Sequence, residues 1–136
     1  MVELIVVPPI HVDRAWKEGA YRLAESVETS GGEITTDQLK MILARGERIL
    51  IRMDRDKEPV GWGVVRVDAL PNARILHVCS MYAPGAAFQE FFDALKGMAE
   101  ANGCLRIRCA AQAVQARLYQ MKCGFKPVYQ VLEVEV

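Results

Sequence analysis

The sequence predicts an α/β (α+β) fold with a mixed central sheet of about six strands and four helices. Three β-rich runs follow one another with only short turns between them, which is typical of an antiparallel meander. A strongly amphipathic helix then separates the third run from a fourth, which indicates a parallel crossover. The chain has 136 residues, the size of one domain, so we expect residues 1–136 to form a single folded unit.

The first part of the chain contains one strand and two helices. Residues 3–7 are mostly β-branched or apolar, and a pair of prolines ends this run. Apolar residues then recur at helical spacing from Val12 to Val27, with Asp13 as the expected cap. A second helix begins in the capping-box sequence 35–38 and ends at Gly46. Two helices therefore precede the main part of the sheet.

The middle of the chain alternates between apolar and polar residues in three successive runs. Charged residues form the first turn, and a Pro-Asn pair lies in the second. We expect strands over residues 47–53, 60–67 and 75–81. Gly61 and Gly63 lie inside the middle strand, which they weaken because glycine brings no side chain to the sheet.

The second half opens with the strongest helical pattern of the chain, over residues 86–102, where three phenylalanines lie on one stripe. A strand over residues 104–109, a short helix ended by Gly124 and a final alternating strand over Val128–Val136 follow. A right-handed crossover places strand 104–109 beside strand 75–81. Ligands of open α/β sheets bind where neighbouring strand ends separate. We therefore expect the functional site at the ends of these two strands.

The charge balance and the cysteine content exclude several classes of function. Lysine plus arginine equals aspartate plus glutamate, 17 against 17, so no net basic field exists to hold nucleic acid or an anionic membrane. The four cysteines and two histidines show no metal-ligand spacing and no disulfide framework, so we expect buried, reduced thiols and no metal site. The sequence shows no signal segment and no membrane-spanning run, and we expect a cytoplasmic protein.

Two short sequences lie at the ends of the strands that border the expected site. One reads Tyr-Ala-Pro-Gly-Ala-Ala over residues 82–87, and the other reads Gln-Ala-Arg-Leu-Tyr-Gln-Met-Lys-Cys-Gly-Phe over residues 115–125. Together with the order of the elements, they resemble the GNAT superfamily of acyl-CoA-dependent N-acyltransferases. The resemblance spans nearly the whole chain but is carried by few residues.

The resemblance implies a site for acetyl-CoA. In the family, the last meander strand presents backbone groups to the pantetheine arm, and a glycine-rich loop cradles the pyrophosphate. The residues so implied are Val78, Cys79, Ser80, Gly85, Ala86 and Ala87. Tyr82 stands where arginine or glutamine is usual. Free amides at a helix start also favour an anion on physical grounds, but Pro84 has no amide hydrogen and the loop has no cation. The structural alternative is that Pro84 and Gly85 only start a helix.

The same resemblance makes Tyr119 the proton donor to the leaving CoA thiolate. The interval to Gly124 and Phe125 is one residue longer than usual, so alignment on this pair puts Gln120 in the place of the tyrosine. A shift of one position along a helix changes the direction of a side chain by roughly 100 degrees. Either the helix end carries an extra residue and Tyr119 faces the cleft, or Tyr119 packs and the donor is missing or is water. Gln112 lies near the place of an asparagine that often bonds the cofactor.

His77 is the candidate acceptor for the proton of the amine. Imidazole titrates near neutral pH, and His77 lies in the strand that borders the expected cleft. The structural alternative is a histidine that is hydrogen-bonded within a sheet face. Cys79 has no basic partner placed by local spacing, so direct attack by the amine is favoured over a thiol nucleophile. Arg106 and Arg108 project from one face of their strand and fit a CoA phosphate, a partner surface or a solvated face.

These observations lead us to expect an N-acetyltransferase that moves an acetyl group from acetyl-CoA to the amine of a small molecule or peptide in a ternary complex. One alternative is a binding or assembly module of the same fold that has lost catalysis, as in some virus-encoded relatives. Another is a small-ligand regulatory domain of ferredoxin-like type, which requires a different strand order. The final strand can also pair with a second subunit, so a homodimer is one expected assembly.

Overall fold

A five-stranded sheet runs through the computed structural model, which describes residues 2–28, 32–85 and 87–136. The strands lie side by side in chain order and are β1 (Val2–Val7), β2 (Ile49–Arg55), β3 (Glu58–Leu70), β4 (Ala73–Tyr82) and β5 (Arg106–Cys109). Neighbouring strands are antiparallel except β4 and β5, which are parallel. The predicted mixed sheet with a parallel crossover is confirmed. The parallel neighbour of β4 also excludes the ferredoxin-like alternative.

Five α-helices and two 3₁₀ turns lie in the described residues. They are the turn Pro9–His11, α1 (Val12–Glu18), the turn Ala20–Leu23, α2 (Ala24–Val27), α3 (Thr36–Ala44), α4 (Ala87–Ala101) and α5 (Ala113–Cys123). The predicted first helix is divided, because the backbone bends at Gly19 with φ of +149°. A Cβ at Gly19 would lie 2.9 Å from Nε1 of Trp62, so only glycine lets the chain pass this indole. Asp13 does not cap the helix but lies in its first turn, where it contacts Lys40 at 2.7 Å.

Both ends of α3 follow the prediction. The N–H of Gln38 donates to Oγ1 of Thr35 at 3.2 Å, and the N–H of Thr35 donates to Oε1 of Gln38 at 2.9 Å. Gly46 follows the helix in the left-handed conformation, with φ of +75°. The capping box and the glycine stop signal are therefore confirmed, because each satisfies backbone groups that the helix leaves unpaired at its ends.

Helices pack on both faces of the sheet. The segment from α1 to α3 covers one face, around Trp62 and Val64. The second face is covered by α4, whose Phe91 is fully buried. A Cβ added at Gly61 or at Gly63 would lie 3.0 Å from the Phe91 ring. The two glycines of β3 therefore make the space in which Phe91 packs against the sheet.

The predicted final strand over Val128–Val136 is wrong for this single chain. No helix or strand covers residues 124–136, and residues 126–136 are all exposed. Val131 and Val134 each keep 85% of their surface in contact with solvent. A strand forms only where another strand accepts and donates its backbone hydrogen bonds. Within the described chain this segment has no such partner, so the sheet has five strands where about six were expected.

Two further expectations concern the cysteines and the helices. All four cysteines are free thiols, but only Cys104 is buried, and Cys79, Cys109 and Cys123 are half-buried. The expectation of buried thiols is therefore met by Cys104 alone. In the described part of the chain, no helix has both the length and the apolar character of a membrane span.

Candidate active site

A bulge in β4 marks the start of the site. Across β3, Val65 pairs with Val78 and Val64 pairs with Ser80. Cys79 is the extra residue between these two pairs. A bulge bends its strand and increases the local twist, so β4 changes direction at Cys79.

The strands β4 and β5 separate directly beyond the bulge. Their parallel pairing begins at Ile75 and ends where Val78 lies opposite Cys109. β4 continues to Tyr82, whereas β5 stops and the chain turns into α5. The gap exposes strand backbone at the edge where open α/β sheets hold their ligands. This is the edge at which the sequence predicted the site.

A cavity of about 1000 Å³ occupies the gap. On one side its wall contains Phe88 and Phe92 of α4, and on the other it contains Val27 of α2 and Met41 of α3. These helices cover opposite faces of the sheet. The cavity wall therefore contains residues from helices on both faces of the sheet, next to Cys79.

Four residues predicted from the sequence lie in the wall of this cavity. They are Val78, Cys79, Ser80 and Gln112. Gln112 is the N-cap residue of α5 and uses no side-chain hydrogen bond to cap it. Burial raises the pKa of the Cys79 thiol, so this thiol stays protonated at neutral pH. Its protonated state gives no support to Cys79 as a nucleophile.

The predicted phosphate loop lies at the start of α4. Gly85 is left-handed, with φ of +59°, and a Cβ added there would contact nothing within 4 Å. The N–H of Ala87 donates to the carbonyl of Pro84 at 3.2 Å, and that of Phe88 donates to Gly85 at 3.3 Å. Both bonds are long for amide donors. Ala86, the third residue predicted in this loop, lies outside the described residues.

A second cavity of about 530 Å³ borders the same loop, and its wall contains two arginines and the carboxylates Glu18 and Glu58. Pro84, Arg22 and Arg55 lie in its wall. Arg55 is paired with Glu90 at 2.7 Å, whereas the Arg22 guanidinium lies over the ring of Tyr82, 5.7 Å from its centroid. Sequence reasoning missed Arg22 because this residue belongs to a 3₁₀ turn far earlier in the chain.

Tyr119 lies in the wall of the larger cavity, on α5. Its ring stacks on that of Phe88, with 5.5 Å between centroids and 6° between planes. Gln120 is exposed and is not in the cavity wall. Burial raises the pKa of Tyr119, and two neighbouring thiols raise it further. The hydroxyl therefore keeps its proton at neutral pH and is able to donate it.

The end of α5 explains how Tyr119 keeps this position. The N–H of Gly124 donates to the carbonyl of Tyr119, five residues earlier, where an α-helix uses a residue four earlier. The N–H of Phe125 reaches the same carbonyl at 3.4 Å. The last turn of α5 therefore closes on a bond that spans five residues and not four. Of the two alternatives that the sequence left open, the position of Tyr119 in the cavity wall favours the one in which it faces the cleft; its role as proton donor stays a prediction.

His77 lies in the paired part of β4 and is not among the described residues that line the cavity. Its register partners are Arg66 on β3 and Arg108 on β5, so all three share one face of the sheet. Burial lowers the pKa of His77, and the positive charge of Arg66 lowers it further. The imidazole is therefore neutral at pH 7. Its position nevertheless favours a structural role over direct contact with an amine.

Two carboxylates lie at the α2–α3 end of the cavity. Glu25 and Glu33 line this end, together with Arg48. No sequence pattern identifies these two glutamates, because only the packing of α2 and α3 over the gap in the sheet brings their side chains to the cavity. Among the described residues, no group of three or more His, Cys, Asp or Glu side chains is placed to hold a metal ion.

No protein-family model and no curated protein sequence matches the chain. Several solved structures are similar to it. A possible acetyltransferase from Clostridium difficile 630 has a TM-score of 0.73 at 15% identity, over 100% of this chain and 98% of that one. Ribosomal-protein-alanine N-acetyltransferase from Brucella melitensis biovar Abortus 2308 has a TM-score of 0.73 at 15% identity, with full coverage of both chains.

An aminoglycoside acetyltransferase, meta-AAC0020 from an uncultured soil metagenomic sample, was solved in complex with sisomicin and is also similar. Its TM-score is 0.64 at 13% identity, over 99% of this chain and 95% of that one. Identities this low show the fold alone. The chain therefore has the fold of the GNAT acetyltransferases.

Proposed function

We propose that the chain is an acetyl-CoA-dependent N-acetyltransferase. The cavity at the gap between β4 and β5 carries this proposal, because elements from both faces of the sheet line it at the bulge in β4. A transfer between two substrates needs them held in contact in one geometry. The cavity wall offers residues of both helix layers to two substrates at once.

Acetyl-CoA supplies the acetyl group as an activated thioester. The backbone of residues 78–80 would align the pantetheine arm in the gap between β4 and β5. Gly85 and Ala87, at the start of α4, would hold the diphosphate, and Arg22 would add positive charge nearby. The cavity volume of about 1000 Å³ is at the upper end of the range for small-molecule sites, roughly 300–1,000 Å³.

Tyr119 would hold the proton that the leaving thiolate takes up. A carbon–nitrogen bond forms to the amine while the carbon–sulfur bond breaks. The amine gives its proton to water or to one of the carboxylates Glu25 and Glu33, and solvent returns a proton to Tyr119. We assign the proton acceptor to the α2–α3 end of the cavity. His77 is not assigned this role, because it lies in the paired part of β4 before the bulge and is not among the described residues that line the cavity.

An amine acceptor fits the α2–α3 end of the cavity. Glu25 and Glu33 attract a protonated amine by their charge, and a small molecule or the end of a peptide is narrow enough to enter. The similar structures include an aminoglycoside acetyltransferase and a ribosomal-protein-alanine N-acetyltransferase. Both names describe acetyl transfer to amine-bearing acceptors, which supports this class.

A binding module that has lost catalysis is the second candidate, and one observation favours it. The amides of Ala87 and Phe88 already donate to carbonyls of their own turn, and the loop has no cation of its own. Calorimetric titration with acetyl-CoA separates the candidates. We expect a Kd of about 1–100 μM for the enzyme, and no binding at about 1 mM would contradict it. Mass spectrometry of a panel of amines incubated with acetyl-CoA then identifies the acetylated acceptor.

A further inference from the structure

We propose that the acceptor is an apolar amino acid, whose carboxylate binds Arg48 while its amine lies beside Cys79. This inference rests on the proposed acetyl transfer and names its substrate class, with an N-acetyl amino acid and CoA as the products. It depends on an arginine without a carboxylate partner, on basic side chains that cross the sheet in one row and on the apolar wall of the α2–α3 end of the cavity.

Arg48 lies in the cavity wall and differs from the arginines of the two strands that follow it. All three arginines of β2 and β3 have a carboxylate within 2.9 Å, in the pairs Arg52–Asp54, Arg55–Glu90 and Arg66–Asp68. Arg48 is half-buried, yet no carboxylate of the described residues forms an ion pair with it. Its guanidinium has lost part of its hydration without gaining a partner, so an anion that enters the cavity is favoured there.

Basic side chains form one row across the sheet, on the face that α1, α2 and α3 cover. Arg66 is the register partner of His77, and His77 is that of Arg108. Arg48 directly precedes β2 and lies at the β2 end of this row. Burial lowers the pKa of His77, and the charges of Arg66, Arg48 and Arg108 lower it further. Because Asp68 neutralises Arg66, the row keeps positive charge at Arg48, the member that reaches the cavity wall.

Arg48 also lies close to the bulge at which the thioester is proposed to bind. Burial raises the pKa of the Cys79 thiol, and the charge of Arg48 is the largest influence that opposes this rise. Coulomb interactions weaken with distance, so the two side chains are near neighbours in the cavity wall. In a 2-amino acid, a single carbon atom separates the amine from the carboxylate. A carboxylate bound at Arg48 therefore keeps the amine near Cys79, where it can attack the thioester.

The α2–α3 end of the cavity suits the remaining parts of such a ligand. Its wall contains the apolar side chains Val27, Ile34, Met41 and Ile42. An apolar side chain removed from water there gains free energy roughly in proportion to its buried area. Glu25 and Glu33 are exposed at the same end and attract the ammonium group from solution. An amine without a carboxylate would leave Arg48 unpaired, and its ammonium form would meet like charge there.

A comparison of amino acids with their amides tests the proposal. Leucine, valine, methionine and phenylalanine are each compared with the corresponding amide, which keeps the amine and the side chain but removes the negative charge. Turnover is followed by the release of CoA. We expect at least one of these amino acids to have a kcat/KM at least about tenfold above that of its amide. Equal values for every pair would overturn the proposal, and this comparison needs no variant.

Three variants then assign the preference to Arg48. In Arg48→Gln, the ratio of the two kcat/KM values should fall at least about tenfold. Arg48→Lys should keep part of the preference, because lysine keeps the charge but not the bidentate hydrogen bonding. Arg45→Gln is the control, at an exposed arginine that is not among the described residues of the cavity wall, and should keep the preference. The ratio is compared between enzymes because an amide also changes the basicity of the amine.

Calorimetry separates binding of the amino acid from its acetylation. The preferred amino acid is titrated into the protein with about 1 mM CoA present, so that no acetyl group is transferred. We expect binding that Arg48→Gln weakens at least about tenfold, while the Kd for acetyl-CoA stays within about twofold of the wild-type value. Circular dichroism like that of the wild type shows that the variant is folded.

The outcomes distinguish this proposal from the proposed function. Acetylation of amines without a carboxylate, and of no amino acid, overturns the amino acid as acceptor and keeps the acetyltransferase. A preference for amino acids that Arg48→Gln leaves unchanged also overturns the proposal. Binding of an amino acid that depends on Arg48, with no transfer to any amine, supports the amino-acid site and contradicts the enzyme. If amino acids neither bind nor react, the proposal is overturned.

Discussion

The ring of Tyr119 lies parallel to the ring of Phe88, 5.5 Å away between centroids. Phe88 belongs to the first turn of α4, and Tyr119 belongs to α5. The stack therefore joins the helix start proposed to hold the diphosphate to the helix that carries the proposed proton donor. Aromatic pairs of this kind contribute about 0.5–1.5 kcal/mol beyond their buried area, which holds both helices at one wall of the cavity.

Replacing Tyr119 with phenylalanine keeps this stack and removes the hydroxyl. We expect turnover to fall at least about tenfold, with the Kd for acetyl-CoA unchanged within about twofold, because the lost group acts on the leaving thiolate. Steady-state kinetics and calorimetry measure the two effects. Gln120→Ala, on the neighbouring exposed residue, is the control and should keep wild-type turnover. Unchanged turnover in Tyr119→Phe would remove this residue from the mechanism.

Replacing Gly85 with alanine tests the loop at the start of α4. Gly103→Ala is the matched control, because both glycines are left-handed, with φ of +59° and +69°, and neither has a close neighbour. Each variant should lose about 1–2 kcal/mol of unfolding free energy in urea, the cost of a left-handed non-glycine residue. We expect only Gly85→Ala to weaken acetyl-CoA binding, by at least about fivefold, since its Cβ would occupy space in the loop proposed to hold the diphosphate. Equal affinity in both variants would place the diphosphate elsewhere.

Replacing Gly63 with alanine tests the packing of Phe91 on the sheet. The new methyl group would lie 3.0 Å from Cζ of Phe91 and 3.1 Å from Cγ1 of Ile51. We expect a loss of about 1–3 kcal/mol, as for other overpacked cores. Gly97→Ala, in α4 with nothing within 4 Å, should instead gain about 0.5–1 kcal/mol from helix propensity. Thermal or urea unfolding that shows no loss for Gly63→Ala would contradict the close contact.

The lowered pKa of His77 predicts a dependence of stability on pH. The folded protein holds the His77 proton less readily than the unfolded chain, whose value is the ordinary 6.5. Its contribution is therefore present above pH 6.5 and is lost as the pH falls below that value, because the unfolded state binds the proton first. His77→Gln should flatten the change in urea-unfolding free energy between about pH 7.5 and about pH 5.5. His11→Gln, at an exposed histidine, is the control, and equal slopes in both variants would exclude His77 as the cause.

Local patterns were enough to predict most of the fold. The alternation in β2, β3 and β4 and the apolar stripe of α4 depend on neighbouring residues, so the strand order and the parallel crossover followed from them. The division of the first helix was not predictable, because it results from contact between Gly19 and Trp62, which are distant in sequence. The final strand was also mispredicted, since alternation shows that a segment can form a strand but not which edge accepts it.

The candidate site divides in the same way. The residues that line the cavity from β4, and Gln112 and Tyr119 at the next helix, were named in advance because two short sequences and the order of the elements resemble the GNAT superfamily. The structure places them in the cavity wall, and their roles stay predictions. Only the tertiary structure revealed the cavity. It also placed the carboxylates Glu25 and Glu33 in the cavity wall and Arg22 near the loop. They depend on how far β4 and β5 separate and on which helices cover the gap, and both are set by packing between elements that local sequence does not encode.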